Sequence, residues 1–194
     1  SYWTQITPMP GRRYEHMSAI VGNFLYVFGG AGDETDKIYR YNLGSGEWSI
    51  LPGTMPVTLS QAGITVADND IIIAGGMTST GRASREVHVF NVQSLDWRRL
   101  PSIPLGLIAP ALGVLSDGVH VVGGYSNEPL KTHSRHYLLA SKARKWQDIE
   151  PLPEARHHAG YAVVDDQLIV MGGAVGSGFF APFTATDTVY IFKP

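Results

Sequence analysis

One spacing constrains what this chain can fold into. Glycine pairs stand at Gly29-Gly30, Gly75-Gly76, Gly123-Gly124 and Gly172-Gly173, and tryptophans at Trp3, Trp48, Trp97 and Trp146. From each Trp to the first Gly of the next pair is 26, 27, 26 and 26 residues; from that Gly to the following Trp is 19, 22 and 23. A core of fixed length therefore alternates with connections that vary, which marks a structural repeat. A proline cluster follows each Trp: Pro8 and Pro10, Pro52 and Pro56, Pro101 and Pro104, Pro151 and Pro153. The repeats run over residues 3–47, 48–96, 97–145 and 146–194, as one domain.

Each repeat reads as four short strands. Repeat one predicts Met17–Val21, Phe24–Phe28, Lys37–Asn42 and Trp48–Leu51, with Gly22-Asn23 as the hairpin turn between the first two. Asp68-Asn69-Asp70, Ser116-Asp117-Gly118 and Asp165-Asp166-Gln167 hold the turn's place in the later repeats. Runs such as Ile71-Ile72-Ile73 and Leu168-Ile169-Val170-Met171 are apolar without alternation, so these strands should be buried on both faces, as stacked sheets are. No segment has a helical period, and almost no helix is expected.

Composition removes several functions. With 15 basic against 17 acidic side chains, the net charge of −2 gives no field to draw in nucleic acid or an anionic membrane. Zero cysteines exclude disulfides, thiolate metal sites and a cysteine nucleophile. They do not fix the compartment, although the cytoplasm is favoured. No apolar run is long enough for a membrane-spanning helix, and residues 1–10 lack the basic and apolar regions of a signal peptide.

Four Gly-Gly pairs in register with Trp, and Tyr39, Tyr137 and Tyr190 downstream of three of the pairs, resemble the kelch repeat family. His88 or Phe90 stands near the Tyr place in repeat two. The resemblance implies an all-β propeller of four four-stranded blades, in which Gly and aromatic residues are architectural. The Trp3 segment is then the outer strand missing from repeat four, which would close the ring within a monomer. The alternatives are a piece of a six- or seven-bladed ring, or half of a two-chain ring.

Function belongs on the face carrying the d–a connections and the b–c loops, with strands lettered outward from the axis. The four b–c loops, 31–36, 77–86, 125–135 and 174–187, differ in character: the second carries Arg82 and Arg85, the third Lys131, His133 and Arg135, the fourth Phe179, Phe180 and Phe183. In the d–a segments Arg12, Arg13, Tyr14, Glu15 and His16 align with Ala155, Arg156, His157, His158 and Ala159. If the ring closes, repeats one and four are neighbours and these residues form a basic, aromatic patch at the channel mouth. Arg grips carboxylates bidentately. The family resemblance implies a non-enzymatic protein-binding module, and the patch an acidic partner, with Phe179 and Phe180 as an apolar anchor or a channel plug. The rival reading, also from the resemblance, is a carbohydrate-active propeller similar to sialic-acid isomerases, with Glu15 beside Arg13 or Arg156. The sugar-oxidase branch fails for want of a Cys. No metal or other cofactor is expected: His133 and His136 lack a carboxylate cluster, His157 and His158 should point to opposite sides of a strand, and His120 should be a core histidine with one hydrogen bond.

Overall fold

The computed structural model describes residues 1–194, the side chains of Phe179, Phe180 and Pro182 excepted. Fifteen strands form the blades. Blade 1 is β1 (Met17–Val21), β2 (Phe24–Phe28), β3 (Tyr39–Asn42) and β4 (Glu47–Ile50). Blade 2 is β5 (Gly63–Ala67), β6 (Asp70–Ala74), β7 (Val87–Asn91) and β8 (Trp97–Leu100). Blade 3 is β9 (Ala111–Leu115), β10 (Gly118–Val122), β11 (His136–Ala140) and β12 (Gln147–Asp148). Blade 4 has three: β13 (Gly160–Val164), β14 (Gln167–Met171) and β15 (Val189–Phe192). Every blade is an antiparallel meander. One 3-10 helix, Gly178–Phe183, lies in the fourth b–c loop.

The first two strands of repeat one have the predicted bounds, and Val21 pairs with Phe24 across the Gly22-Asn23 turn. His88 takes the Tyr place in repeat two: it lies opposite Ile73 as Tyr39 lies opposite Val27. The buried run Ile71 to Ala74 packs on both faces. Ile71 and Ile73 join Tyr26, Phe28 and Phe90 between blades 1 and 2, while Ile72 and Ala74 join Leu112, Val121 and Tyr137 between blades 2 and 3. A smaller cluster of Ala111, Val122, Leu168 and Val170 joins blades 3 and 4. Fully burying each Val, Leu, Ile or Phe side chain of these clusters contributes about 1.5–3 kcal/mol.

The glycine pairs work at the blade contacts. Both residues of each pair have positive φ, from 60° to 91°, where any side chain is strained. The second amide of each of the first three pairs donates to the next repeat: Gly30 to the Leu59 carbonyl, Gly76 to Leu107 and Gly124 to Arg156, at 2.9, 2.8 and 2.8 Å.

The ring does not close through the N-terminal strand as the sequence suggested. Blade 4 keeps three strands, and Trp3 is wholly exposed (102 %). Residues ahead of blade 1 lie against it instead: Trp48 Nε1 donates to the Thr7 carbonyl and Thr7 Oγ1 to that of Gly46, both at 3.0 Å. The innermost strands stack in sequence order, β1 on β5, β5 on β9 and β9 on β13, with no comparable contact between β1 and β13. The arrangement is a four-bladed arc, open between its first and last blades.

Candidate functional site

The d–a and b–c segments do share a face. In every repeat the lead-in to the blade bridges the following b–c loop: Arg13–Tyr14 with Ala31–Gly32, Leu59–Ser60 with Met77–Thr78, Ile108 with Tyr125, and His157 with Ala174. The next residue of each lead-in, Glu15, Gln61, Ala109 and His158, has φ between 51° and 54°. This left-handed step turns the backbone toward the axis, where the amides form a staircase. Gln61 N–H donates to the Glu15 carbonyl at 3.0 Å, Ala109 to Gln61 at 2.8 Å, and His158 to Ala109 at 3.3 Å.

At the axis a cavity of about 320 Å³ is lined by residues of all four repeats, among them Glu15, His16, Gln61, His158 and Tyr161. The left-handed turn at His158 breaks the alternation of an extended strand, so His157 and His158 do not diverge as expected. Their Nδ1 atoms lie 2.6 Å apart. His157 Nε2 donates to the Gly176 carbonyl at 2.7 Å, so its Nδ1 accepts from His158 Nδ1–H. His158 Nε2, 2.8 Å from the Gln61 amide, then accepts, and Gln61 must present its NH₂. Burial and His157 hold His158 below the usual histidine range, against the opposing pull of Glu15.

The expected arginine patch does not form at this mouth. Arg13 is buried: its guanidinium stacks on Tyr39 at 3.8 Å and bonds the carbonyls of Gly29, Asp33, Glu34 and Lys37. Arg156, 1 % exposed, stacks on Tyr190 at 4.6 Å and bonds the Gly172 and Thr188 carbonyls, Thr188 Oγ1 and Glu154. Both tie b–c loops to their own blades. Arg12 is exposed and pairs with Asp33 at 3.1 Å, holding that carboxyl below its ordinary range. Tyr14, Glu15, His16 and Arg82 are also exposed. Phe179 and Phe180 lie outside the described side chains.

Three other expected residues do converge. Between blades 2 and 3, a groove of about 520 Å³ is lined by Lys131, His133, Arg135, Tyr137, Trp146 and Asp148, with Pro104 and Leu105. The short ladder of Tyr125–Asn127 with Leu130–Thr132 brings Lys131 and His133 there, and Arg135 stands just before β11. Arg85 reaches the same region: its Nε donates to the Ile103 carbonyl at 2.8 Å, and its charge acts with that of Arg135 on the Tyr137 hydroxyl, which burial pushes up. Burial first, then Lys131 and Arg135, hold His133 below the usual histidine range. Its ring lies 2.9 Å from Ser126 Oγ. Arg135 pairs with Asp148, the only carboxylate among the described residues that line the groove, and Lys131 has no ion-pair partner among them. Tyr137 and Trp146 are the members that sequence reasoning treated as filler alone. Both stand in repeat columns of aromatic residues, and only a gap between neighbouring loops turns such a side chain into a groove wall.

His120 bonds both Asp117 and His136 rather than one partner, and among the described residues no cluster of three His, Asp or Glu side chains converges as metal ligands.

The KLHDC2/KLHL20/DRC7 Kelch-repeats domain matches residues 2–173. The chain is 29% identical over 203 residues to Kelch-like protein terF of Aspergillus terreus, covering 88% of this chain and 44% of that one. It is 26% identical over 175 residues to Kelch-like protein 38 of Mus musculus, covering 88% of this chain and 29% of that one. It thus spans less than half the length of either relative. The structure of YjhT superposes with a TM-score of 0.82 at 16% identity, over 95% of this chain and 67% of that one, which shows likeness of fold.

Proposed function

Because the chain belongs to the kelch-repeat family, we propose that it is a protein-binding module whose groove between blades 2 and 3 receives an acidic segment of a partner. Kelch-like relatives support protein interaction in general. The observation that carries the acidic partner is the convergence of Lys131, His133 and Arg135 on one groove whose described lining holds a single, already paired carboxylate, with Arg85 near enough for its charge to act on Tyr137. Aromatic walls beside cations suit a peptide that brings carboxylates and some apolar surface. The test is fluorescence anisotropy with a labelled glutamate-rich peptide. Binding should weaken with added salt, and Lys131→Ala/Arg135→Ala should weaken it about tenfold or more. Arg12→Ala, remote from the groove and paired with Asp33, should leave it unchanged. Equal affinity of the double variant and the wild type would remove the groove from the site.

A second reading, a small polar ligand such as a neutral sugar, is supported by the cavity at the axis, which has the few hundred Å³ that small-ligand sites possess. Its isomerase form required an arginine beside Glu15, and the Arg13 and Arg156 guanidinium groups are committed to loop carbonyls of their own blades. Calorimetric titration with neutral monosaccharides, repeated on Glu15→Gln, separates this reading from the first.

A further inference from the structure

We infer that a second cavity between blades 2 and 3, on the face opposite the peptide groove, binds a small aromatic carboxylic acid. It measures about 390 Å³, within the range of small-ligand sites. Residues of β6 and β8 form one wall and residues of β9, β10 and β11 the other, with the turns that follow β9 and β11 at the mouth. Both walls belong to the two middle repeats.

The contact between blades 1 and 2 shows what fills this place elsewhere in the fold. There Tyr26 lies 6.4 Å from Phe24 and 6.3 Å from Phe90, ring centre to ring centre. The strand register gives the matching positions one blade on. Asp70 lies opposite Asn91 as Phe24 lies opposite Asn42, Ile72 opposite Val89 as Tyr26 opposite Arg40, and Leu139 opposite Val119 as Phe90 opposite Ile71. The second contact thus replaces three rings by a carboxylate and two aliphatic chains, and all three replacements line the cavity. Burial falls accordingly. Ile71 is wholly buried and its counterpart Val119 only half-buried; Leu51 is buried and its counterpart Leu100 half-buried. Interiors are close-packed, so the space that rings occupy in one contact is open to a ring in the next.

The mouth of the cavity changes in the same step. In blade 2 the turn after β7 carries Val92 and Leu95, both packed against the cluster between blades 1 and 2. The same places in blade 3 hold Ser141 and Arg144, with exposed Lys142 between them. Lys142 lines the cavity and has no ion-pair partner among the described residues. From the other wall Arg98 Nη2 donates to Asp70 Oδ2 at 2.7 Å, while its Nε and Nη1 have no acceptor among the described residues. Asp70 is the one carboxylate of the described lining, and its second oxygen already accepts from Asn91 at 2.8 Å. The apolar interior therefore takes the aromatic body, and Lys142 with Arg98 takes the carboxylate.

The test is calorimetric titration with naphthylacetate and with its neutral amide, naphthylacetamide. The acid should bind, and the amide should bind about three- to fivefold more weakly, as the loss of one exposed ion pair predicts. Lys142 is exposed, so Lys142→Gln keeps the fold; it should weaken the acid to the level of the amide and leave the amide unchanged. Leu139→Phe restores to blade 3 the ring that Phe90 supplies in blade 2, and should abolish binding of both compounds. In isotope-labelled protein the acid should shift the amide resonances of Ala67, Ser116 and residues 141–143, and not those of residues 131–135. Failure of the acid to bind at millimolar concentration, equal affinity for acid and amide, or shifts confined to the peptide groove overturns the inference. Undiminished binding to folded Leu139→Phe does so as well.

Discussion

Nε2 of His136 lies 2.9 Å from Nδ1 of His120, in a chain of bonds from Asp117 Oδ1 at 2.7 Å to the Glu150 carbonyl at 3.1 Å. Both ends accept, so three hydrogen bonds need three protons, and two neutral rings supply two. Burial, and then the charge at His120, pull His136 down to about 4 from 6.5.

That shift sets a pH dependence. The unfolded ring takes up its proton near 6.5 and the folded ring only near 4, so between these values the unfolded chain binds more protons. The contribution of His136 to stability is complete above pH 6.5 and is lost as pH falls toward about 4, by at most about 1.4 kcal/mol per pH unit. Urea midpoints taken across this interval should fall with acidity, and His136→Asn should flatten the slope. Equal slopes for the two proteins would refute the assignment.

Arg156 should prove architectural. Its removal takes the side-chain donor from the Gly172 carbonyl, leaves the Thr188 carbonyl only the Gly172 N–H, and leaves Tyr190 without its cation. Arg156→Ala should cost about 3–5 kcal/mol in urea unfolding. Arg156→Lys should recover little, because an ammonium cannot span the fork. Folded Arg156→Lys should still bind the acidic peptide as the wild type does.

Two glycines with the same backbone should differ. Gly75 and Gly172 both have φ near 65°, at 67° and 61°. Alanine at Gly172 meets only the left-handed penalty of about 1–2 kcal/mol. Alanine at Gly75 must also displace the Leu107 carbonyl, and should cost at least about 2 kcal/mol more. Chemical denaturation of both variants compares the two costs.

In the groove, His133 is held neutral by burial and by its cationic neighbours. Protonation adds a charge that favours an acidic peptide, so affinity should rise as pH falls below the ordinary 6.5 of histidine. His133→Ala should lose this rise and keep most of the affinity at neutral pH. Anisotropy titrations at several pH values measure both.

The repeat fixed strand places closely, because Gly-Gly, Trp and the β-turns are local signals that tertiary packing reinforces. Ring closure lay beyond them, since it depends on the accumulated rotation of the blades. The arginine patch failed for a reason visible in the alignment itself. Arg13 and Arg156 share a column with Leu59 and Leu107, both fully buried. A column whose other members are apolar is a core column, and Tyr39 and Tyr190 provide the stacking that lets an arginine occupy it. The groove was legible only as residue types: Arg85, His133 and Arg135 were named, but not that two loops bring them together.

Tyr161 tests the contact across the axis. Its hydroxyl accepts from the Ile64 N–H at 2.8 Å and donates to the Ile64 carbonyl at 3.0 Å, joining blade 4 to blade 2 without blade 3 between them. Burial pushes the hydroxyl's pKa up, which keeps the donor proton in place. Tyr161→Phe preserves the ring's packing against the cluster between blades 3 and 4 and removes both bonds. Each partner left unsatisfied at a partly buried strand costs about 1–3 kcal/mol when water cannot replace the hydroxyl. The expected result is a lower urea midpoint with an unchanged m-value, and faster hydrogen exchange at the Ile64 amide. Unchanged exchange there would show that the arc holds blades 2 and 4 in place without this bridge.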